Sequence, residues 1–238
     1  MSEPDWSNLT RADVDRLTVE VYRTAWRARP EVRQIRMMGG DAVVKDYGRG
    51  SNNFKHALGA FLATREAAAL RRSEGLANIP DFYALARPWI LVMEHLDARP
   101  VTALDEGEQV RVLTPSFFAA LTGLIEQLHA LGVAHGDLEK LDNILVTPAG
   151  EPAIVDFGAA IMAGRNPLAA IVLPQIESND FRAVYKLKSQ CAPELLTDEE
   201  REKLNTRSRA EVFFRKARTY IRRPVKSLAA RHGEGDAP

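Results

Sequence analysis

Three oxygen-bearing side chains follow one another in the middle of the chain in an order suited to phosphate chemistry. Asp137 lies in the run His-Gly-Asp-Leu at 135–138, Asn143 precedes the apolar run Ile-Leu-Val, and Asp156 opens Asp-Phe-Gly at 156–158. Transfer of a phosphoryl group to a hydroxyl needs an acceptor for the hydroxyl proton and oxygen ligands that hold Mg²⁺ against the phosphates. Asp137 can fill the first role, and Asn143 and Asp156 the second. The spacing therefore predicts a site for ATP and Mg²⁺.

The segment before this loop has helical periodicity. Apolar residues recur every three or four positions between Pro115 and Leu131, and Gly132 follows as a stop signal. These residues are Phe117, Phe118, Leu121, Leu124, Ile125 and Leu128. The catalytic loop is therefore predicted to begin at the end of a buried helix.

A β-hairpin is predicted between Asn143 and Asp156. Residues 144–146 and 153–155 are short apolar runs, and Pro-Ala-Gly-Glu at 148–151 is typical of a turn. We expect this hairpin to bring Asn143 and Asp156 together. The alternative is that both residues, like Asp137, only form turns and local caps.

In these residues the chain resembles the protein-kinase-like superfamily, in particular its compact branches: RIO-type kinases, aminoglycoside phosphotransferases and bacterial lipopolysaccharide-core kinases. The resemblance implies an α+β, two-lobed protein-kinase-like fold, with a small antiparallel-sheet N lobe and a mostly helical, reduced C lobe. We expect one domain over 1–238, divided into an N lobe at about 14–94, a hinge at 94–97, a C lobe at 98–200, a basic C-terminal helix at 198–223 and a tail at 224–238.

The resemblance extends to three parts of the N lobe. Lys45, in a strand-like run, matches the family lysine that holds phosphates, whereas the alternative is a lysine on an edge strand. Glu66, in a strongly helix-forming segment, matches the glutamate that pairs with this lysine, whereas an isolated helical glutamate would only be solvated. After the predicted strand at 89–93, Glu94 and Leu96 match the hinge, whose backbone groups bind adenine.

The catalytic loop departs from the family pattern by one residue. Family members usually place the metal-binding asparagine five residues after the catalytic aspartate, but Asp142 holds that place here and Asn143 is sixth. The apolar run begins directly after Asn143, and its interval to Asp156 matches the family. We therefore assign metal binding to Asn143. Contact between Lys140 and the transferred phosphate is left open.

A second departure is the absence of Gly-x-Gly-x-x-Gly before Lys45. Gly39 and Gly40 are predicted to form a tight turn between two strands, because glycine adopts positive φ readily. This turn could approach phosphate, so both glycines are candidates for nucleotide binding. The alternative is a plain hairpin, with the phosphate cover in a glycine-free loop between Arg16 and Pro30, after a first strand at 17–22.

The region after Asp-Phe-Gly leaves little room for the activation segment and peptide platform of larger kinases. Asp180, only 24 residues past Asp156, resembles the buried helix aspartate that supports the catalytic loop in compact kinases; an ordinary helix N-cap is the alternative. Ala-Pro-Glu at 192–194 follows Asp180 instead of preceding it, so we interpret its match to larger kinases as accidental.

The C-terminal segment is strongly basic. Between Arg201 and His232 there are eleven Lys or Arg residues and two Glu, whereas the whole chain has 32 of each sign. An apolar stripe that includes Phe213 and Tyr220 predicts an amphipathic helix, which would suit an anionic surface such as a lipid membrane. The alternative is a helix that packs on the C lobe. There is no specific nucleic-acid motif.

Composition bounds the remaining choices. The 238 residues, 45% of them hydrophobic, can form one sizeable core, and the start of the chain has no secretory pattern. We expect a cytoplasmic protein, or one peripheral to the inner face of the membrane. The favoured function is an ATP-dependent phosphotransferase acting on a small-molecule or glycolipid hydroxyl. The alternatives are a RIO-like serine/threonine protein kinase and a catalytically weak nucleotide-binding scaffold.

Overall fold

The computed structural model describes residues 5–26, 29–37, 39–49, 53–164 and 167–205. The strands are β1 (Thr18–Arg23), β2 (Glu31–Met37), β3 (Gly40–Asp46), β4 (Phe82–Ala86), β5 (Ile90–Glu94), β6 (Arg99–Pro100), β7 (Val133–Ala134), β8 (Ile144–Val146), β9 (Pro152–Ile154) and β10 (Ile161–Met162). The helices are α1 (Arg11–Leu17), α2 (Asn53–Arg72), α3 (Glu106–Val112), α4 (Pro115–Ala130), α5 (Pro167–Cys191) and α6 (Asp198–Asn205).

The N lobe is built on a five-stranded antiparallel sheet. Its strand order is β1-β2-β3-β5-β4, so β3 is an interior strand. Side chains alternate between the two faces of a strand. Ala42 and Val44 of β3 pack on one face, together with Leu9 and Val14, beneath α1. Trp6 stacks on Tyr83 with ring centroids 5.4 Å apart. The packed lobe therefore begins near Trp6, upstream of the predicted start at residue 14.

Helix α2 covers the other face of the sheet. Ala63, Ala67 and Leu70 of this helix are fully buried and belong to the same core as Leu91 of β5. This core continues into the C lobe through α4. A single apolar core therefore joins α2, the sheet and the C lobe, and it positions α2 relative to the catalytic loop.

Helix α4 has the bounds that its periodicity predicts. The Thr114 side chain accepts a hydrogen bond from the N–H of Phe117, and Pro115 occupies the first turn, where its missing N–H does no harm. The helix ends at Ala130, and Gly132 then adopts a positive φ of 68°. All six predicted apolar positions are buried. The prediction of a buried helix before the loop is confirmed.

The predicted hairpin is also present. Ile144 pairs with Ile154 and Val146 with Pro152, and β6 adds a third strand. The α+β, two-lobed organisation predicted from the sequence is confirmed.

Helix α6, which begins after a capping box formed by Thr197 and Glu200, covers only the start of the predicted basic helix. The remainder of that helix and the predicted tail lie outside the described residues. Over the described ranges, no helix has the length and apolarity needed to cross a bilayer.

Candidate active site

A buried lysine lies between two carboxylates where the lobes meet. Lys45 is 5% exposed, and its Nζ lies 2.6 Å from Oε1 of Glu66 and 2.7 Å from Oδ1 of Asp156. Burial by itself would lower the pKa of Lys45, but Asp156 and Glu66 outweigh it, so the pKa is raised. The Lys45 ammonium in turn holds the pKa of Asp156 well below its ordinary value, although burial opposes this. Lys45 and Asp156 therefore stay charged near neutral pH.

A tyrosine completes this cluster. The Tyr47 hydroxyl donates a hydrogen bond to Oε2 of Glu66, the oxygen that Lys45 does not use. Burial and the neighbouring Glu66 carboxylate raise the pKa of Tyr47, so the hydroxyl keeps its proton and remains a donor. Both oxygens of the fully buried Glu66 carboxylate are thereby satisfied, as a buried charge requires.

Helix α2, which carries Glu66, is tied to the C lobe by two arginines. Arg65 donates to the carbonyl of Gly158, directly after Asp-Phe. Arg72 donates to the carbonyls of Leu131 and Ala163, each at 2.6 Å. These contacts link α2 to both ends of the catalytic region and hold Glu66 beside Lys45.

The catalytic loop is anchored from below by Asp180. This residue is 1% exposed and lies inside α5, where its carboxylate accepts hydrogen bonds from the backbone N–H groups of His135 at 2.7 Å and Gly136 at 2.9 Å. Nε2 of His129 lies 3.1 Å from the same carboxylate. The N-cap alternative is wrong, because Asp180 is in the interior of the helix and binds the loop.

His135 joins the catalytic loop to the segment that follows β9 and carries Asp156. Its Nδ1 accepts from the N–H of Asp137 at 3.2 Å, and its Nε2 lies 2.9 Å from the carbonyl of Val155. A carbonyl can only accept, so the neutral tautomer with the proton on Nε2 satisfies both contacts. The ring also packs edge-on against Phe157. His135 therefore fastens the catalytic loop to the segment just before Asp156.

The structure separates the two candidate metal ligands that follow Asp137. Asn143 is buried, and its Nδ2 donates to the carbonyl of Asp137 at 3.0 Å. The backbone carbonyl of Asn143 accepts a hydrogen bond from the N–H of Val155, also at 3.0 Å. Asp142 is exposed and accepts a hydrogen bond from Thr102 at 2.6 Å. The inserted residue is thus accommodated in the short turn that faces solvent, and Asn143 keeps the place between Asp137 and Asp156.

Lys140 is the cation closest to Asn143 in the loop. Its Nζ lies 3.5 Å from Oδ1 of Asn143, and its side chain is otherwise exposed. Since the amide nitrogen of Asn143 bonds to Asp137, Oδ1 is the atom that Asn143 can offer to a cation. The ammonium occupies this position here.

Comparisons with known proteins agree with this geometry. No model of a protein family matches the sequence. Over 81 residues the chain is 38% identical to the serine/threonine-protein kinase PknD of Chlamydia trachomatis, a match that covers 34% of this chain and 8% of that protein. It is 29% identical over 89 residues to the probable serine/threonine-protein kinase RTK1 of Saccharomyces cerevisiae, covering 37% of this chain and 14% of that protein. The chain thus matches only a small part of the length of these relatives.

Solved structures give the wider likeness. The Rio2 kinase from Chaetomium thermophilum superimposes with a TM-score of 0.55 at 18% identity, covering 87% of this chain and 76% of that chain. Its complex with ADP, Mg²⁺ and phosphoaspartate gives a TM-score of 0.50 at 19% identity. The chain has the protein-kinase-like fold. At this level of identity the likeness establishes the fold.

In this kinase-like chain the Gly39–Gly40 turn lies far from Lys45. Met37 pairs with Gly40 and Val32 with Lys45, so the turn and Lys45 are at opposite ends of the β2–β3 hairpin. Five residues of extended strand separate Gly40 from Lys45 by about 17 Å. Glycines at this distance from Lys45 cannot contact a phosphate that Lys45 holds, so the register favours the plain-hairpin alternative. Both glycines have positive φ, as the tight turn requires.

The segment predicted to be the hinge follows β5. Glu94 closes β5, and its side chain accepts from the N–H of Asp81 at 3.1 Å. The Glu94 carboxylate is therefore bonded on the β4 side, and the Glu94 N–H donates to the Asp81 carbonyl at 2.9 Å. The Glu94 carbonyl and the Leu96 backbone stay as the predicted adenine contacts. The Tyr22 hydroxyl of β1 lies 3.1 Å from Nε2 of His95, which ties the hinge to the edge of the sheet.

Two features of this site escaped sequence reasoning. Tyr47 follows Lys45 by two positions, and the period of a strand places both on the same face, so this signal was available. Gly59 has no such signal. It lies where α2 crosses the end of β3, and a Cβ at this position would lie 2.5 Å from the Tyr47 carbonyl oxygen. Glycine is required there because the helix approaches the strand too closely for any side chain.

Proposed function

We propose that this protein is an ATP-dependent kinase that moves the γ-phosphate of ATP to a hydroxyl group of a small-molecule or glycolipid acceptor. The observation that supports this most directly is the buried Lys45 ammonium, held 2.6 Å from Glu66 and 2.7 Å from Asp156. Charged groups brought together in a cleft with perturbed pKa values are typical of functional sites. Here they carry the residue types that phosphoryl transfer requires, in the order of the family.

In this proposal Lys45 holds the phosphates that do not react, as a point charge positioned by Glu66 and Tyr47. Asn143 Oδ1 and the Asp156 carboxylate are hard oxygen donors that suit Mg²⁺. Mg²⁺ bound there would neutralise the charge on the phosphates. Once Lys45 has phosphate as an additional partner, Asp156 can share its carboxylate between the ammonium and the metal.

Asp137 is the proposed proton acceptor. It aligns the acceptor hydroxyl and takes its proton as the phosphate transfers. Its position is determined by the loop around it, which Asp180 and His135 hold through hydrogen bonds of 2.7–3.2 Å. Catalysis of this reaction depends mainly on positioning and electrostatic stabilisation, so a rigid loop is the expected requirement. Asp137→Asn should keep the fold and lose most of the turnover.

A thermal-shift titration tests the nucleotide site. Wild-type protein should show a rise in melting temperature with ATP that requires Mg²⁺, because a ligand that binds only the folded state stabilises it. Asp156→Ala and Asn143→Ala should remove the Mg²⁺-dependent part. Asp142→Ala is the matched control and should retain it. No shift of the wild type at millimolar ATP would contradict the proposal and leave the scaffold alternative.

The nature of the acceptor is proposed from the region after Asp-Phe-Gly. Only residues 159–166 separate Gly158 from the start of α5. Helix α5 then passes beside the catalytic loop, since a Cβ on Gly136 would lie 3.2 Å from Ile176. Ile171, one and a half turns earlier, is 69% exposed. A short, partly apolar surface of this kind favours a small or lipid-linked acceptor over an extended peptide.

A RIO-like serine/threonine protein kinase is the second candidate. The likeness to the Rio2 kinase fold and the partial matches to serine/threonine-protein kinases favour it. Labelled ATP, offered with a lipid extract in one reaction and a protein extract in another, separates the two. Label in lipid that Asp137→Asn abolishes supports the first candidate, and label in protein supports the second.

Contact with an anionic membrane is proposed on charge alone. The eleven basic residues between Arg201 and His232 would each contribute about 1 kcal/mol near anionic lipid. Flotation of the full chain with vesicles containing phosphatidylserine tests this contact. Equal recovery with neutral and anionic vesicles would contradict it.

A further inference from the structure

The loop that should cover the phosphates contains no glycine. It connects β1 to β2 over residues 24–30, with the sequence Thr-Ala-Trp-Arg-Ala-Arg-Pro. Trp26 and Arg29 close its tip through paired backbone hydrogen bonds of 3.0 and 3.3 Å. None of its described residues has a positive φ. In a backbone cradle for phosphate, successive residues alternate between right-handed and left-handed helical conformations, so that their N–H groups point inward. Glycine adopts the left-handed conformation readily. The described residues of this loop offer no such cradle.

Arg23 stands at the start of this loop, on the same face of the sheet as Lys45. Arg23 pairs with Val32 and Val32 pairs with Lys45, so the three residues lie in one row across β1, β2 and β3. Residues directly opposite one another project from the same face of a sheet. Two strand spacings put the Arg23 and Lys45 backbones about 10 Å apart. A phosphate chain fits between two cationic side chains at this separation.

The Arg23 side chain is held toward the cleft. Its Nε donates to the carbonyl of Pro30 at 3.2 Å, across the base of the loop. This bond uses one of the five N–H donors of the guanidinium. The charge of Arg23 adds to that of Lys45 in lowering the pKa of Asp156, and it opposes the rise in the pKa of Tyr47. The guanidinium is therefore electrostatically coupled to the lysine–carboxylate cluster.

We infer that the Arg23 guanidinium binds the phosphates of the nucleotide and replaces the backbone cradle that a glycine-rich loop would supply. A guanidinium presents paired donors that match phosphate oxygens in a fixed geometry. Lys45 contacts the phosphates from β3, and Arg23 contacts them from β1 above. This assignment rests on the proposed nucleotide site and adds a residue to it.

The alternative is a purely structural role, in which Arg23 only closes the loop by its hydrogen bond to the Pro30 carbonyl. Two substitutions distinguish the roles. Arg23→Gln can still donate a hydrogen bond to the Pro30 carbonyl but carries no charge. Arg23→Lys keeps the charge and loses the paired donors. A structural role predicts that Gln preserves binding, whereas phosphate binding predicts that Lys preserves more of it than Gln.

The test is calorimetric titration of the full chain with ATP and with adenosine, in the presence of Mg²⁺. Arg23→Gln should weaken ATP roughly 10- to 100-fold, the effect of losing hydrogen bonds to a charged group, and should leave adenosine unchanged. Arg23→Lys should fall between Gln and wild type. Arg16→Gln is the matched control, since Arg16 is 70% exposed on α1, pairs with Asp13, and should bind ATP like the wild type.

Three results would overturn the assignment. Arg23→Gln that binds ATP as tightly as wild type removes Arg23 from the site while the proposed function stands. Arg23→Gln that loses ATP and adenosine equally shows a general disturbance of the site instead of a lost phosphate contact, because adenosine has no phosphate. Wild-type protein that binds neither ligand removes the nucleotide site itself, and the proposed function falls with it.

Discussion

Replacement of Asp180 by alanine should destabilise the fold through the catalytic loop. The Asp180 carboxylate is the acceptor for two backbone N–H groups, those of His135 and Gly136, at 2.7 and 2.9 Å. Leaving a buried donor without a partner costs about 1–3 kcal/mol. Two such donors predict a loss of about 4 kcal/mol in the free energy of unfolding. Asp180→Asn keeps one carbonyl oxygen and should lose about half as much.

Urea unfolding monitored by circular dichroism measures this loss. Ser178→Ala is the matched control, because Ser178 is exposed on the same helix and should change the free energy of unfolding little. The slope of the transition should be the same in all variants, so that a change in midpoint reports a change in stability. Amide exchange at His135 and Gly136 should also accelerate in Asp180→Ala.

A loss below about 1 kcal/mol for Asp180→Ala would refute this reasoning, because it is less than one unsatisfied donor is expected to cost. Equal losses for Asp180→Ala and Asp180→Asn would refute the account of two separate acceptor oxygens. The first result would mean that other contacts hold the loop, and that His135 and its bond to Val155 carry more of the anchoring than we assign.

Three further outcomes are expected. Tyr47→Phe should lower the free energy of unfolding by about 1.5–3 kcal/mol in urea titration, because it removes a hydrogen bond to the buried Glu66 carboxylate; an unchanged midpoint would contradict that bond. Gly59→Ala should destabilise by about 1–3 kcal/mol despite the better helix propensity of alanine, since its Cβ would lie 2.5 Å from a backbone oxygen; a gain in stability would contradict the close approach. The folded pKa of Asp156 is lowered mainly by Lys45, so its stabilisation is complete above the ordinary aspartate pKa of about 4 and is lost as the pH falls below that value. The stability difference between wild type and Asp156→Asn should therefore be constant from about pH 5 to 8 and shrink in acid, and a difference that shrinks already near neutral pH would contradict the lowered pKa.

Local patterns predicted the elements that carry the site. Helix α4 and the β8–β9 hairpin each depend on residues within one short segment, and periodicity and turn chemistry describe such segments well. The order of Lys45, Glu66, Asp137 and Asp156 was equally legible, because each stands in a short motif. Only the structure excluded the alternative of an edge-strand lysine, because the sequence of a single strand does not reveal its place in the sheet.

The catalytic-loop insertion shows where local reasoning reached its limit. Sequence spacing favoured Asn143 over Asp142 for metal binding, and this assignment remains a prediction. The structure adds that Asn143 is buried against Asp137 while Asp142 faces solvent and Thr102. Which of Asn143 and Asp142 points toward Asp137 depends on the conformation of the turn, and packing of the whole loop determines that conformation.

By itself, the sequence determined the kinase-like order of motifs, the boundaries of the principal helix and hairpin, and the lack of a glycine-rich loop. Only the tertiary structure decided that Tyr47 shares Glu66 with Lys45, that Gly39 and Gly40 lie far from Lys45, and that Arg23 stands in one row with Lys45. The physical reason is range. Periodicity and capping act over a few residues, whereas the Lys45–Asp156 contact joins residues 111 positions apart, and its geometry exists only once sheet register and lobe packing are set.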